Sequence, residues 1–191
     1  MSQFHKNLSE HQALFNGLSV LEPVVSDASQ LIAHAFSAGN KLMICGNGGS
    51  AADSQHIAAE MTGRFIKDRK PLPAIALSTD TSALTCIAND YSFDEVFSRQ
   101  VQALGKAGDV LLAISTSGNS KNVIRAMIVG KELGLKIIAL TGRDGGHMKV
   151  MADCSIVVPS QVTARIQEAH IFIGHTLCGD VEVHLGLIDK W

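Results

Sequence analysis

What the sequence lacks removes several classes of protein. Cys45, Cys86, Cys154 and Cys178 are scattered, with no C-x-x-C pair, which argues against a thiolate zinc ribbon or a thioredoxin-type redox pair. Four buried, reduced cysteines in a cytoplasmic protein are the expectation. Apolar runs are short, as in VLLAI at 110–114, far below the roughly 20 residues needed to cross a bilayer. The opening MSQFHKNLSE has no basic segment followed by an apolar one, so no secretion signal is expected. No basic run exceeds KDRK at 67–70, and the formal net charge is −2. The chain therefore carries no electrostatic footprint for nucleic acid or an anionic membrane. Aromatics at 5% and charged residues at 18%, against 46% apolar, leave the composition of an ordinary soluble α/β protein.

What is present alternates. KLMIC (41–45), AIAL (74–77), DVLLAIS (109–115), KIIAL (136–140) and CSIVV (154–158) are short, Ile/Val/Leu-rich runs that read as strands buried on both faces of a parallel sheet. Helical patterns lie between them at 50–66, about 80–88, 94–104, 120–133 and near 146–151. Gly134 suits the position just past a helix end. Strand–helix alternation implies right-handed crossovers and a doubly wound α/β fold of five strands. Helices are also expected at 3–20 and 23–38, with Pro23 in a first turn, and over about 162–188. No linker, repeat or low-complexity segment divides 1–191, so one domain is expected. The terminal helices carry more apolar positions than such a sheet needs to cover (Leu14, Phe15, Leu18, Ile171, Leu177 among them), and oligomerisation is one outlet for that surplus.

Ligands of open α/β sheets sit at the carboxyl ends of the strands, where three loops carry polar residues. GNGGS (46–50) leads into a helix. Its glycines allow close backbone approach and the helix start offers free N–H groups; a plain tight turn with Ser50 as N-cap is the alternative. STSGNS (115–120) is the stronger candidate. Ser115, Thr116, Ser117 and Ser120 surround one glycine, more hydroxyls than capping needs, and make a phosphate cradle without a lysine. The G-K-[ST] of a nucleotide-binding P-loop is missing. TGRDGGH (141–147) reads as a structural turn. Asn89 and Asp90, in IAND, either end a helix or recognise sugar hydroxyls.

His56 and Glu60 are i, i+4 on the helix at 50–66, on one face about 6 Å apart. They can grip one divalent cation or merely hydrogen-bond at the surface. On the closing helix, TARIQEAHIFIGH offers Gln167, Glu168, His170 and His175. Glu168 and His175, i and i+7, should share a face. Gln167 and His175 lie roughly 12 Å apart along the axis and about 80° apart in rotation, so spacing alone does not select Gln167. The remaining histidines show no partner spacing.

Taken together, CGNGGSAADSQHIAAE, IAND, AISTSGNS and TARIQEAHIFIGH resemble the phosphoheptose isomerases, in order and spacing, along nearly the whole chain. That family belongs to the sugar-isomerase (SIS) domain group, with a flavodoxin-like five-stranded parallel sheet. The resemblance implies a cytoplasmic homotetramer with sites near subunit interfaces, no nucleic-acid or membrane partner, and conversion of sedoheptulose 7-phosphate to D-glycero-D-manno-heptose 7-phosphate, the first step towards the heptose of bacterial lipopolysaccharide. It implies that Asn47, Gly48, Gly49 and Ser50 line the substrate, that Asn89 and Asp90 contact hydroxyls, and that Ser115, Thr116, Ser117 and Ser120 hold phosphate. It also implies one zinc ion on His56, Glu60, Gln167 and His175, with Glu60 and His175 as the acid–base pair and Gln167 touching substrate. Ala164 departs from the aspartate of some members. Two rivals share the domain group. The DnaA initiator-associating regulators carry similar IAND, AIST and ARIQE patterns but lack counterparts of Glu60 and His175; the other rival is an isomerase of a different sugar phosphate.

Such an isomerase moves a proton between C1 and C2 through an enediol. A carboxylate near the carbon and an imidazole near the carbonyl supply base and acid, and zinc can act as a Lewis acid or as an orienting ion. A distant phosphate serves as a handle whose binding holds the reacting carbons in place.

Overall fold

Apolar residues at successive rather than alternate positions make each strand buried on both faces. In the computed structural model, which describes residues 1–189, β1 (Leu42–Cys45), β2 (Ala74–Ala76), β3 (Val110–Ser115), β4 (Lys136–Gly142) and β5 (Cys154–Val158) form one parallel sheet in the order β2-β1-β3-β4-β5. This is the expected doubly wound α/β fold, and its order reverses between β1 and β3.

Side chains alternate across the sheet. Leu42, Ile44, Leu112 and Ile114 face one core with α2 (Glu22–Ser37), α3 (Gly49–Thr62) and α8 (Thr163–His184). Met43, Cys45, Leu111 and Ala113 face the other, with α5 (Ser98–Leu104), α6 (Lys121–Glu132) and α7 (Gly146–Met151). The remaining helices are α1 (Gln3–Asn16) and α4 (Thr81–Asp90). No helix among the described residues is long and apolar enough to cross a membrane.

Several boundaries differ from expectation, each for a local reason. The helix expected at 3–20 stops at Asn16, where Gly17 caps it with an N–H to the Leu14 carbonyl, and a 3₁₀ turn (Leu18–Leu21) follows. Pro23 does fall in the first turn of α2. The helix expected at 50–66 ends at Thr62, and that expected at 94–104 splits into a 3₁₀ turn (Phe93–Glu95) and α5. Gly134 closes α6 as anticipated, at φ 80°, with Leu135 N–H to Gly130 O and Gly134 N–H to Lys131 O, a Schellman pair. Gly186 ends α8 with the same pair of bonds, Leu187 to Glu182 and Gly186 to Val183. All four cysteines are free, but Cys86 is exposed rather than buried, since it lies on α4, a helix with no buried residue.

Candidate active site

The strand order reverses between β1 and β3, so their following helices leave to opposite faces and open a crevice above the sheet. Both polar loops with helices behind them lie there. After β1, Gly48 is the residue that caps α3, at φ 56° and ψ −119°, a conformation only glycine adopts without strain. Ser50 is therefore not the N-cap: it lies inside the first turn, 4% exposed, with its N–H to Asn47 O. Across the crevice Asn47 and Asn122 exchange two amide hydrogen bonds, both 2.9 Å. Asn122 is buried in the first turn of α6 and ties the two loops together. Sequence reasoning missed it, because its partner is 75 residues away.

After β3, Ser115 Oγ lies 2.9 Å from Ser120 Oγ and 3.4 Å from Ser117 Oγ. Ser120 stands at the N-cap of α6 but makes no side-chain capping bond, so its hydroxyl is not spent on the helix. Thr116 is half-buried in the same loop. The loop at 141–147 has the structural role expected of it, and braces this one from behind. Gly118, at φ 64°, lies so close that a Cβ would meet Gly145 O at 2.0 Å. Met148 N–H donates to Gly118 O and His147 N–H to Asn119 Oδ1.

A second cluster forms where α3 meets α8. His56 Nε2 is 3.2 Å from Glu60 Oε1 and 3.4 Å from His175 Nε2, and the three ligand atoms lie within 4.8 Å of one another. Tetrahedral ligands on bonds of ~2.1 Å are about 3.4 Å apart, so the two separations from His56 match edges of a zinc tetrahedron. Gly174 permits the helix approach, since a Cβ there would meet Ile57 Cδ1 at 2.7 Å. The Phe65 ring stacks on His175, centroids 5.4 Å apart. Gly174 carried no signal in the sequence beyond adjacency to His175, and Phe65 carried none.

The remaining candidates divide. The Gln167 carboxamide packs on the glycine turn, where a Cβ on Gly49 would meet its Nε2 at 2.3 Å. Glu168 turns away to His11 (2.8 Å) and Arg165 (2.5 Å), so it does not join His175 as its spacing suggested, and His11 does have a partner. Asn89 and Asp90 occupy the last turn of α4. Asn89 and Cys86 both donate to the Asp90 carboxylate, bonds that stay within α4 rather than reaching the loops at 46–50 or 115–120. These two bonds hold the Asp90 carboxyl below its usual range. On α3, burial raises the pKa of Asp53, and His56 partly offsets it; Asp53 Oδ2 is buried with no partner among the described residues. Burial pushes His170 down to about 4, against a smaller upward effect of its bond to Thr141 O.

A family model, the SIS domain, matches residues 9–142, and the chain belongs to that family. Within it, a phosphoheptose isomerase of Helicobacter pylori is 53% identical over 177 residues, 93% of this chain and 92% of that protein. The phosphoheptose isomerase of a Nitratiruptor species is 54% identical over 183 residues, 95% and 98%. The solved structure of phosphoheptose isomerase GmhA from Neisseria gonorrhoeae superposes with TM-score 0.83 at 50% identity, covering 94% of each chain. That of a phosphoheptose isomerase from Francisella tularensis gives 0.88 at 36%, covering 95% and 98%. Over such coverage this chain is a member of the phosphoheptose isomerase family, a group of aldose–ketose isomerases.

Proposed function

We propose that this chain interconverts sedoheptulose 7-phosphate and D-glycero-D-manno-heptose 7-phosphate, with the hydroxyl loop at 115–120 as phosphate handle and the α3–α8 cluster as the reacting end. The observation that carries this reading is the convergence of His56 Nε2 and Glu60 Oε1, on the helix that starts at the glycine turn, with His175 Nε2 from α8. Gly49 and His56 are seven residue steps apart along α3, roughly 10 Å at 1.5 Å per residue, a span that suits an extended sugar between the glycine turn and the cluster. Ser115, Thr116, Ser117, Ser120 and the free amides of α6 bind the dianion; Asn47, Gly48, Gly49, Ser50, Asn89 and Asp90 serve the sugar's hydroxyls. Glu60 takes the proton between C1 and C2, and His175 returns one to oxygen. His56, Glu60 and His175 fit zinc, with Gln167 as the fourth donor. Bound there, zinc would act as a Lewis acid towards the substrate oxygens. A carboxylate that ligated zinc firmly would be a poor base, so Glu60 would have to give up one role to take the other.

The cellular setting is the cytoplasm, at the entry to lipopolysaccharide heptose, and the assembly is a homotetramer. An apolar groove of about 560 Å³ between α1, α2 and α8, lined by Phe15, Leu18, Leu21, Val25 and Phe172, supports the latter; a stable monomer in light scattering at micromolar concentration would overturn it. The direct test follows aldose formation from sedoheptulose 7-phosphate, with fructose 6-phosphate as control. Preference for the hexulose would move the reading to another sugar-phosphate isomerase. No turnover, together with tight binding to a replication initiator, would favour the regulator.

A further inference from the structure

The short basic run KDRK does not face solvent as a unit. Its Arg69 side chain is 2% exposed and its partner Glu182, on α8, is fully buried. All three guanidinium nitrogens donate to the site's framework. Nε donates to Glu182 Oε1 at 2.7 Å. Nη2 donates to the Glu60 carbonyl at 2.7 Å. Nη1 donates to Met61, Gly63 and Lys70 carbonyls at 2.7, 2.8 and 3.2 Å. Glu60 and Met61 belong to the last turn of α3, whose carbonyls have no partner within the helix and favour a cation. Glu182 lies on α8 at i+7 from His175, two turns along the same face. The loop between Gly63 and Arg69 carries Phe65, which stacks on His175.

We infer that Arg69 and Glu182 form a positioning clamp that sets Glu60 against His175, an inference that rests on the reading of these two as the reacting groups. A planar fork reaches helix end, loop and α8 together, whereas an ammonium is a point charge with no such geometry. Neither residue touches substrate. The clamp acts by fixing where α3 ends relative to α8, and errors of an ångström at a reacting pair are costly.

Arg69→Lys keeps the charge pair with Glu182 and removes the fork. The expected result is a fall of about tenfold or more both in kcat and in zinc affinity, measured on apoprotein by competition with a chromophoric chelator, the size seen when supports behind metal ligands are removed. KM should stay within about twofold, because the phosphate loop and its brace are untouched. Glu182→Gln keeps an oxygen acceptor and should show the same pattern, weaker; it carries the test if the lysine variant does not fold. A variant that melts earlier yet keeps wild-type kcat and zinc affinity would reduce the pair to fold stability and overturn the clamp. A wild-type protein that neither binds zinc nor turns over a sugar phosphate would instead sink the isomerase reading, and the clamp with it.

Discussion

The two halves of the proposed site are built on opposite principles. The proposed phosphate end is neutral: hydroxyls and amides drawn from one loop, with Ser117 and Ser120 both within 3.4 Å of Ser115, braced by backbone from the next loop. The proposed reacting end is ionisable: His56 and Glu60 from one helix and His175 from another, His56 and His175 being 119 residues apart, brought together by packing at Gly174 and held by Arg69. A loop of donors can lose one member and still bind, because its shape comes from the main chain. A cluster of single side chains has no such redundancy. Truncation at the first end should weaken binding, and truncation at the second should stop chemistry.

The sharpest test of that division is Glu60→Gln, which keeps size and an oxygen but cannot accept a proton at neutral pH. Turnover should fall by roughly 10²–10⁴-fold while substrate binding persists, read by calorimetry. His56→Ala is the control, removing a proposed metal ligand with no proposed proton role. If zinc content and zinc rescue match in the two variants, Glu60 is a ligand only; loss of C1/C2 proton exchange with zinc retained makes it the base.

A smaller effect should cross the division, because His170 ties α8 to the end of β4. It lies on α8 between Gln167 and His175 and its Nε2 faces Thr141 O, where the bracing loop begins, at 3.1 Å. Its pKa is pushed down from 6.5 to about 4, so below pH 6.5 the unfolded chain binds a proton that the folded chain refuses. Stability is complete above that range and falls as pH drops from 6.5 to about 4, by roughly 3 kcal/mol. His170→Gln, which retains a donor and does not titrate, should flatten this part of the Tm-against-pH curve. An unchanged curve would place the acid sensitivity elsewhere.

The smallest effect belongs to the redundant end. Ser117→Ala should raise KM by the equivalent of about 1–2 kcal/mol with kcat preserved, and the penalty should shrink on a substrate lacking phosphate. An equal loss on both substrates would mean that the loop serves the fold.

The same contrast governs how much could be read from residues alone. Five strands, the crossovers, the Gly134 stop and the hydroxyl loop are local patterns, and each lies where its pattern put it. His56 and Glu60 were legible because i, i+4 spacing is geometry. Asn122, Gly174 and Phe65 were not, since each matters through a partner distant in sequence. The alternative reading of Ser50 as a cap fails because the backbone at Gly48 takes that position. Arg69 was legible only as one charge in the run KDRK, because nothing local announces that a side chain turns inward to a carboxylate 113 residues away.

The brace behind the phosphate loop also makes a clock. Met148 N–H is bonded to Gly118 O and His147 N–H to Asn119 Oδ1, so neither amide can exchange its hydrogen with solvent while the loop at 115–120 stays seated. Their deuterium uptake therefore counts the openings of a segment earlier in the chain. If the loop holds phosphate as proposed, a phosphate ligand should slow the exchange of these two amides on α7, so that occupancy is timed from a helix behind the loop.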